Sequence, residues 1–359
     1  MSAVAGPPGF EAAELERFLV EAFLSLGVPQ ADAHKVSGLM VEADLRGYGT
    51  HGSFRLRQYV NRLRDGGYNP VARPGLAIDR GAIGLVDGDN GLGHLAAQMA
   101  METAIEKAKS HGIGWVGVRG GNHAGPAAIY VTQAVEHDMI GLCAAVGSAN
   151  HVPPFGGSDL LLGTNPIAVA APAGDSPPFV LDMATTVAAV GKIKTLAQRG
   201  EPMPEGWMVG RDGKPLTDPA KKDDGFLLPI GGAKGYGLAM AIGLLAGVLN
   251  GAAFGSNVVE FSKDTTSPTN TGQFYAAISL DAFGGVDAFK STADAVFDEM
   301  RASAPLPGHD RVRIPGEGRG QLRAERAAQG IPLNPALVSV LSEIAAELNI
   351  EPPTPKGTT

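Results

Sequence analysis

Leu15, Phe18, Leu19, Ala22, Phe23 and Leu26 recur at the three- and four-residue spacing of one helix face, and Val36, Leu39, Met40 and Ala43 repeat the stripe. The chain therefore opens on two amphipathic helices, with Gly47 placed to end the second. A third helix is predicted over residues 52–64, closed by Gly66-Gly67. From Leu76 the pattern changes to short apolar runs broken by Gly and Asp. AIGLVDGDNGLGH reads as a strand and turn, and HLAAQMAMETAIEKAKSHG as a helix ending at Gly112. GIGWVGV, RGGNHAGPAA, IYVTQAVEHD and MIGLCAAVG follow as strand, loop, helix and strand, a crossover unit. Further strands are predicted at NPIAVAAPA, PFVLDM and QFYAAISLDAF, and helices at VDAFKSTADAVFDEMRA and NPALVSVLSEIAAELN. In the last helix Asn334 caps, Pro335 occupies the first turn, and Leu337, Leu341, Ile344 and Leu348 share a face.

This grammar divides the chain into three parts. A helical N-terminal unit (1–75) is joined by a C-terminal helical segment (310–350), an α/β body spans 76–309, and EPPTPKGTT (351–359) forms a disordered tail. HDRVRIPGEGRGQ reads as a return linker. Residues 235–259 carry no formal charge and place Gly243, Gly247, Gly251 and Gly255 at spacings of four. That pattern fits a membrane dimer face, or a buried helix whose glycines admit a strand or a symmetry-related helix. Asn250 interrupts the run and no second span exists, so the buried helix is the expectation.

Composition narrows the function classes. Lys+Arg 29 against Asp+Glu 37 leaves a net charge of −8, which argues against nucleic acid as a partner. The single cysteine, Cys143, rules out an internal disulfide or a Cys-based metal site within one chain. The N-terminus has no basic run before an apolar one, so no signal peptide is expected and the default is a soluble cytoplasmic protein away from membranes. The eight histidines include no HExxH and no tight pair, and no metal is expected. GxSxG fails because Leu160 follows Gly156-Gly157-Ser158-Asp159. No GxxxxGK[ST] is present, and Gly235-Tyr236-Gly237 lacks the third glycine of a GxGxxG, so the Rossmann fingerprint is missing.

Three constellations remain. In RGGNHAGPAA the chain leaves a strand through Gly120, Gly121 and Gly125 and enters a helix with Pro126 in its first turn, with Asn122 and His123 at the mouth. Free N–H groups and the helix dipole favour an anion there; the alternative is a plain tight turn. In DLRGYGTHGSFRLRQYV, His51 and Arg55 lie one helical turn apart, Thr50 can hold the imidazole, and Arg46 lies just upstream. An arginine takes a carboxylate bidentately, and a histidine beside it can protonate a carbonyl oxygen as a hydride arrives. The alternative is a solvated stripe of Arg55, Arg57, Arg62 and Arg64. In LLLGTNPIAVAAPAG and FVLDMATTVAAVGKIKT, Thr164 and Asn165 precede a strand, and Asp182 ends one, as a cofactor ligand or a helix cap.

Taken together, ADLRGYGTHGSFRLRQYV, GNHAGPAAIYV, PFGGSDLLLGTNPIAVAAPA, VLDMATTVAAVGKI, LLPIGGAKGYGLAMAIGLLAGVLNGAAFG and RIPGE resemble, in order and over nearly the whole chain, the type-2 malate/L-lactate dehydrogenase family. The resemblance implies a non-Rossmann α/β fold, three-layer α/β/α around an unusual mixed sheet, with a helical unit built from both termini, and a homodimer. It implies hydride transfer between NAD or NADP (NAD slightly favoured) and a small 2-oxo or L-2-hydroxy acid. His51 matches the motif histidine that acts as proton donor, Thr50 the hydroxyl residue before it, and Arg55 the carboxylate-binding arginine. Some members instead place the catalytic histidine at His123. His123, Ala124, Gly125, Pro126, Ala127, Asp182, Met183, Ala184 and Lys234 match cofactor-contacting positions, and Thr164 a substrate-side one. Cyclic-imine reductases of the family carry His-Gly-Asp where this chain reads Val190-Gly191-Lys192, and loss of that acid speaks against imine reduction. Arg46, Arg55 and Lys192 would suit a second acidic group on the substrate. The competing expectations are a reductase of a cyclic imine carboxylate and an inactive nucleotide-binding homologue.

Overall fold

A computed structural model describes residues 9–357. The first eight residues, which bear on the expected absence of a leader, and the last two of the expected tail lie outside the described residues. The N-terminal unit comprises β1 (Gly9–Phe10), α1 (Ala12–Ser25), α2 (Gln30–Leu45) and α3 (Leu56–Arg64). The body follows with β2 (Gly75–Arg80), β3 (Ile83–Asp87), α4 (Gly93–His111), β4 (Ile113–Gly121), α5 (Ala128–Val135), β5 (Met139–Ala145), β6 (Ile167–Ala171) and β7 (Phe179–Met183). It continues through α6 (Val190–Arg199), β8 (Met208–Gly210), β9 (Gly225–Leu227), α7 (Ala233–Ile242), β10 (Thr271–Ser279) and α8 (Val286–Ala302). The chain closes with α9 (Arg319–Gln329), β11 (Ile331–Pro332) and α10 (Pro335–Leu348).

The stripe read from α1 is the buried one: Leu15, Phe18, Leu19, Ala22 and Phe23 are fully enclosed. They share one core with Met40, Tyr59, Leu337, Leu341 and Ile344, so both ends of the chain build one helical unit. β1 pairs antiparallel with β11, which ties the termini together. Asn334 caps α10 by accepting a 2.8 Å bond from the Leu337 N–H.

The third helix begins later than its pattern predicts. Residues 53–55 form a 3-10 turn, and α3 starts at Leu56. The cause is Asp44, buried in α2, whose carboxylate accepts the Ser53 N–H at 2.8 Å. A Cβ on Gly52 would collide with that carboxylate, so only glycine passes. Burial pushes the Asp44 carboxyl up to about 6. His51 consequently sits in a turn rather than on a helix.

Seven strands form the central sheet in the order β2-β3-β4-β10-β5-β6-β7. Only β3 and β4 run parallel; every other pair is antiparallel. β4, α5 and β5 do make a crossover, but β10, the last of the seven in sequence, slots between β4 and β5 and pairs with both. Helices α4 and α5 cover one face, and the helical run continuing from α7 covers the other, giving three layers. Gly272 of β10 permits the second contact, since a Cβ there would strike the Ala246 carbonyl.

The glycine-rich run is one continuous helical stretch over Ala233–Asn250, widening to a π-helix at Gly243–Gly247, and by length and composition it passes as a membrane span. Its glycines do not share one role. Gly243 and Gly247 pack on Phe254 of the same chain, whereas Gly251 and Gly255 lie past the helix end with φ of 69° and 64°. One face is buried on the sheet, as expected. The opposite face exposes Leu244, Leu245, Val248 and Leu249.

Two segments differ from their sequence pattern. The expected linker turns into α9, whose arginines reach back to the end of α2: Arg323 pairs with Glu42 at 2.8 Å, and Arg319 donates to the Arg46 carbonyl at 2.9 Å. Residues 351–357 of the expected disordered tail are docked. Thr354 N–H donates to Glu14 at 3.1 Å and Lys356 N–H to the Gly9 carbonyl at 2.7 Å.

Candidate active site

The turn before α3 and the loop after β4 face each other across a cavity of about 190 Å³, with the ends of β5 and β10 as its floor. Thr50, His51 and Arg55 form one wall, His123, Ala124, Gly125 and Ala127 another, and Thr164 lines the cavity as well. The His51 and His123 rings stack 5.7 Å apart at 20°, and Phe261 stacks on the other side of His123 at 5.2 Å and 3°. The Arg55 guanidinium lies 5.5 Å from the centroids of both Phe54 and Phe261. No carboxylate pairs with Arg55 among the described residues, and its Nε is buried without a hydrogen-bond partner. It is an uncommitted planar cation facing a half-enclosed cavity.

Both imidazoles are held at Nδ1. Thr50 Oγ1 lies 2.9 Å from His51 Nδ1, as its place in the sequence suggested. Tyr59 Oη lies 2.7 Å from His123 Nδ1, and the Gly125 N–H points at the same nitrogen from 3.4 Å. An N–H can only donate, so His123 keeps its proton on Nε2. A threonine hydroxyl donates or accepts, so His51 is free to hold either protonation state. Burial and the Arg55 charge push His51 down to about 3. Burial, then Arg55, His51 and His94, holds His123 well below the usual imidazole range.

The loop carrying His123 is pinned from both sides. Tyr130 donates to the Ala124 carbonyl at 2.6 Å, and Gln273 to the Asn122 carbonyl at 2.9 Å. Gly125 takes φ of 77°, a conformation that favours glycine, and packs over the buried His94 ring.

Several expected residues stand elsewhere. Arg46 is drawn off to Glu42 at 2.5 Å and does not line the cavity. Lys192 and Lys194 are both exposed on α6, and Lys194 lines a neighbouring cavity. Helix α5 starts at Ala128 rather than at Pro126, and its first N–H is taken at 2.9 Å by Asp182. Asp182 thus caps α5 rather than the helix that follows it. Its carboxylate takes the helix-start N–H that the sequence reading left open for an anion. Pro126, Met183, Ala184 and Lys234 do not line the cavity either. Asn165 is committed to structure, accepting from Gly147 N–H at 2.9 Å and donating to the Ala239 carbonyl at 2.9 Å.

Besides Tyr59, two further contributors were not singled out from the sequence as parts of this site. Phe261 joins His123 to Arg55 from a loop two hundred residues away in sequence, where no periodicity points to it. Arg62, grouped with the solvated stripe, is fully buried and holds that loop, donating to the carbonyls of Phe261 at 3.3 Å, Ser267 at 2.5 Å and Gly67 at 3.2 Å, and to that of Asp264. Arg62→Met should leave those acceptors unsatisfied and lower stability by about 3 kcal/mol or more. Thermal melting checks this, and an unchanged melting temperature would contradict it.

Residues 10–342 match the family model described as malate/L-lactate dehydrogenase. The chain belongs to this family. It is 38% identical to the L-sulfolactate dehydrogenase of Methanocaldococcus jannaschii over 93% of this chain and 96% of that protein. The solved structure of a sulfolactate dehydrogenase from that organism superposes with a TM-score of 0.88, covering 96% of this chain and 98% of its own. Malate dehydrogenase of Pyrococcus horikoshii is 37% identical over 93% of this chain and 94% of its own length. The Δ1-piperideine-2-carboxylate reductase structure from Pseudomonas syringae is 30% identical with a TM-score of 0.82, covering 94% and 99%. The protein is therefore an oxidoreductase acting on a CH–OH group, and the family implies a nicotinamide cofactor.

The dehydrogenase has a cavity that suits part of such a cofactor. A space of about 520 Å³ is walled by Phe155, Leu228 and Pro229 and by glycines at 156, 206, 213, 231 and 232. Gly156, Gly206 and Gly213 have positive φ and no atom within 4 Å of where a Cβ would stand, so bare backbone faces the space. An aromatic ring bearing a sugar fits against such a surface.

Proposed function

We propose that the enzyme interconverts a small 2-oxo acid and its L-2-hydroxy acid, with Arg55 holding the carboxylate and His51 moving the proton. The unpaired Arg55 guanidinium beside two neutral imidazoles is the observation that carries this reading. Arg55 would accept the carboxylate bidentately and turn the carbonyl toward the histidines. The nicotinamide, when bound, supplies or accepts the hydride at the carbonyl carbon. In reduction His51 Nε2 gives its proton to the carbonyl oxygen, and in oxidation the neutral ring takes it back while Thr50 holds Nδ1 in either state. His123, fixed as the Nε2–H tautomer by Tyr59 and Gly125, would polarise the same oxygen by donating a hydrogen bond. It is the lesser candidate for proton transfer, because three positive or ionisable neighbours oppose its charging.

The sign of the pH dependence follows from the lowered His51 pKa. Reduction needs the imidazolium, so log kcat/KM for the oxo acid should fall about one unit per pH unit between pH 6 and 8. Oxidation needs the neutral ring, already present there, so kcat/KM for the hydroxy acid should stay flat across that range. Opposite slopes would remove His51 from the role.

For the cofactor, His123, Ala124, Gly125 and Ala127 would meet the nicotinamide end. The glycine-walled cavity and nearby Lys234 would hold the adenosine end. We favour NAD over NADP because Arg211 is the one cation among the described residues lining that cavity, and its guanidinium lies 5.1 Å over the Phe226 ring. Fluorescence titration with NADH and NADPH ranks the two.

The exposed Leu244, Leu245, Val248 and Leu249 face supports the homodimer as its cover. Leu249→Lys should shift the protein to a monomer in light scattering, and an unchanged mass would sink this assignment.

The imine-reductase alternative has a structural relative in its favour, but among the described residues no Asp or Glu lines the cavity around Thr50 and His51. A nicotinamide absorbance assay with pyruvate, oxaloacetate, sulfopyruvate and Δ1-piperideine-2-carboxylate decides. Oxidation with an oxo acid supports the proposal; oxidation with the cyclic imine alone overturns it.

A further inference from the structure

Asp44 lies in the last turn of α2 and is 2% exposed. A carboxylate buried to that degree costs stability unless it is hydrogen-bonded. Its bond runs forward along the chain, where Asp44 Oδ2 accepts the Ser53 N–H at 2.8 Å. Ser53 is the midpoint between the two side chains that face the cavity, with His51 two residues before it and Arg55 two residues after. Gly52 packs directly on the carboxylate, where a Cβ would overlap both oxygens. The other backbone bonds shape each half of the turn from within: His51 N–H to the Tyr48 carbonyl at 2.8 Å, and Arg55 N–H to the Gly52 carbonyl at 2.9 Å. The upstream half is also held from α9, where Arg319 donates to the Arg46 and Gly47 carbonyls at 2.9 and 3.2 Å. Arg326 of α9 donates to the Asp44 backbone carbonyl, and its charge acts on the carboxylate. The downstream half is tied to α2 by the Asp44 side chain.

We propose that Asp44 is a positioning residue for the reaction: its carboxylate sets the 51–55 turn against α2 so that the His51 ring and the Arg55 guanidinium meet one substrate together. This rests on the roles given to His51 and Arg55 above. Asp44 does not line the cavity and acts only through the turn. Displacing a reacting group by about 1 Å costs on the order of 10²-fold in rate, and releasing the Ser53 N–H frees the turn on that scale. The wall formed by His123, Ala124 and Gly125 has its own supports, Tyr130 on the Ala124 carbonyl and Gln273 on the Asn122 carbonyl. Loss of the Asp44 bond therefore disturbs the acid and the proton without disturbing the nicotinamide end.

The test compares full-length Asp44→Asn, Asp44→Ala and Gly52→Ala with the unaltered enzyme. Each is followed by melting temperature, by fluorescence titration with the preferred reduced nicotinamide, and by kcat and KM for a 2-oxo acid that the unaltered enzyme reduces. Asp44→Ala should lose about 10²-fold in kcat/KM for the acid, with the nicotinamide Kd unchanged. Gly52→Ala should show the same split, because its Cβ evicts the carboxylate, and it carries the test if Asp44→Ala melts below the assay temperature. The two together should cost no more than the larger single loss, since each breaks the same tie. Asp44→Asn keeps an oxygen for the Ser53 N–H and should retain most of kcat/KM. It should also melt no lower at pH 8: burial pushes the carboxyl up to about 6, so the ionised form costs stability there that the amide does not. Unchanged kcat and KM in folded Asp44→Ala and Gly52→Ala overturn the inference and leave 2-oxo acid reduction standing. So does an Asp44→Asn loss as large as that of Asp44→Ala, or a nicotinamide Kd that weakens in step with the rate. Failure of the unaltered enzyme to reduce any 2-oxo acid overturns the underlying reading and the inference with it.

Discussion

His51→Ala is expected to lose about 10²–10⁴ in kcat for 2-oxo acid reduction, the usual contribution of a positioned general acid. The argument is geometric before it is electrostatic. His51 lines the cavity, its Nδ1 is held at 2.9 Å by a hydroxyl that tolerates both protonation states, and Nε2 is the nitrogen left for substrate. His123→Ala should also slow the reaction, but its effect should be smaller and should leave the pH slope of reduction intact, since His123 acts as a hydrogen-bond donor rather than as the titrating group. Steady-state rates of the two variants across pH 6–8 separate the roles. If His51→Ala retained the slope and His123→Ala abolished it, the assignments would be reversed. Thr50→Val belongs to the same experiment as a milder lesion, because it removes the Nδ1 partner and leaves the ring.

Arg55→Met should cost about 10²-fold or more in kcat/KM, carried mainly by KM for the acid. A charge-assisted bidentate contact contributes about 1.5–3 kcal/mol in general, and here the guanidinium has no competing carboxylate. The variant should retain its fold, because Arg55 makes contacts to the Phe54 and Phe261 rings but no ion pair. Arg55→Lys should recover only part of the loss, since the planar fork is gone. Removal of this positive charge also lifts one of the two causes that depress His51. The pH at which reduction declines should therefore move upward in Arg55→Met, a coupling that a remote structural arginine would not produce. Normal KM for every oxo acid would refute the clamp.

The helical unit was legible because its apolar stripes repeat at helical spacing, and Asn334 and Gly112 mark element ends through local chemistry. The sheet was legible as strands but not as an order. β10 comes last in sequence among the sheet strands and lies in the middle, and nothing local to QFYAAIS encodes that it separates β4 from β5. Helix α9 was missed because its sequence, RGQLRAERAAQ, has almost no apolar face; arginines reaching α2 hold it instead. At the site, Thr50, His51, Arg55 and His123 were found because they sit within compact motifs. Phe261, Arg62 and Tyr59 were not assigned to it, since the partners that give them their roles lie far away in sequence: Tyr59 of α3 meets His123, and Arg62 of α3 holds the loop that carries Phe261. Lys192 occupies the motif position that the sequence reading weighed, but it is exposed and does not line the cavity of His51 and Arg55. Asp182 was correctly placed at a strand end but capped a helix on the other side of it, a tertiary contact with no sequence signature.

The most direct test follows a label. The enzyme is given a 2-oxo acid and a reduced nicotinamide cofactor deuterated at C4 on one face or the other, and the product is analysed by NMR and chiral chromatography. The account predicts one deuterium at C2 of the L-2-hydroxy acid from one of the two labelled cofactors, and protium there from the other. A D-product, deuterium lost to water, or no hydroxy acid from either cofactor would contradict it.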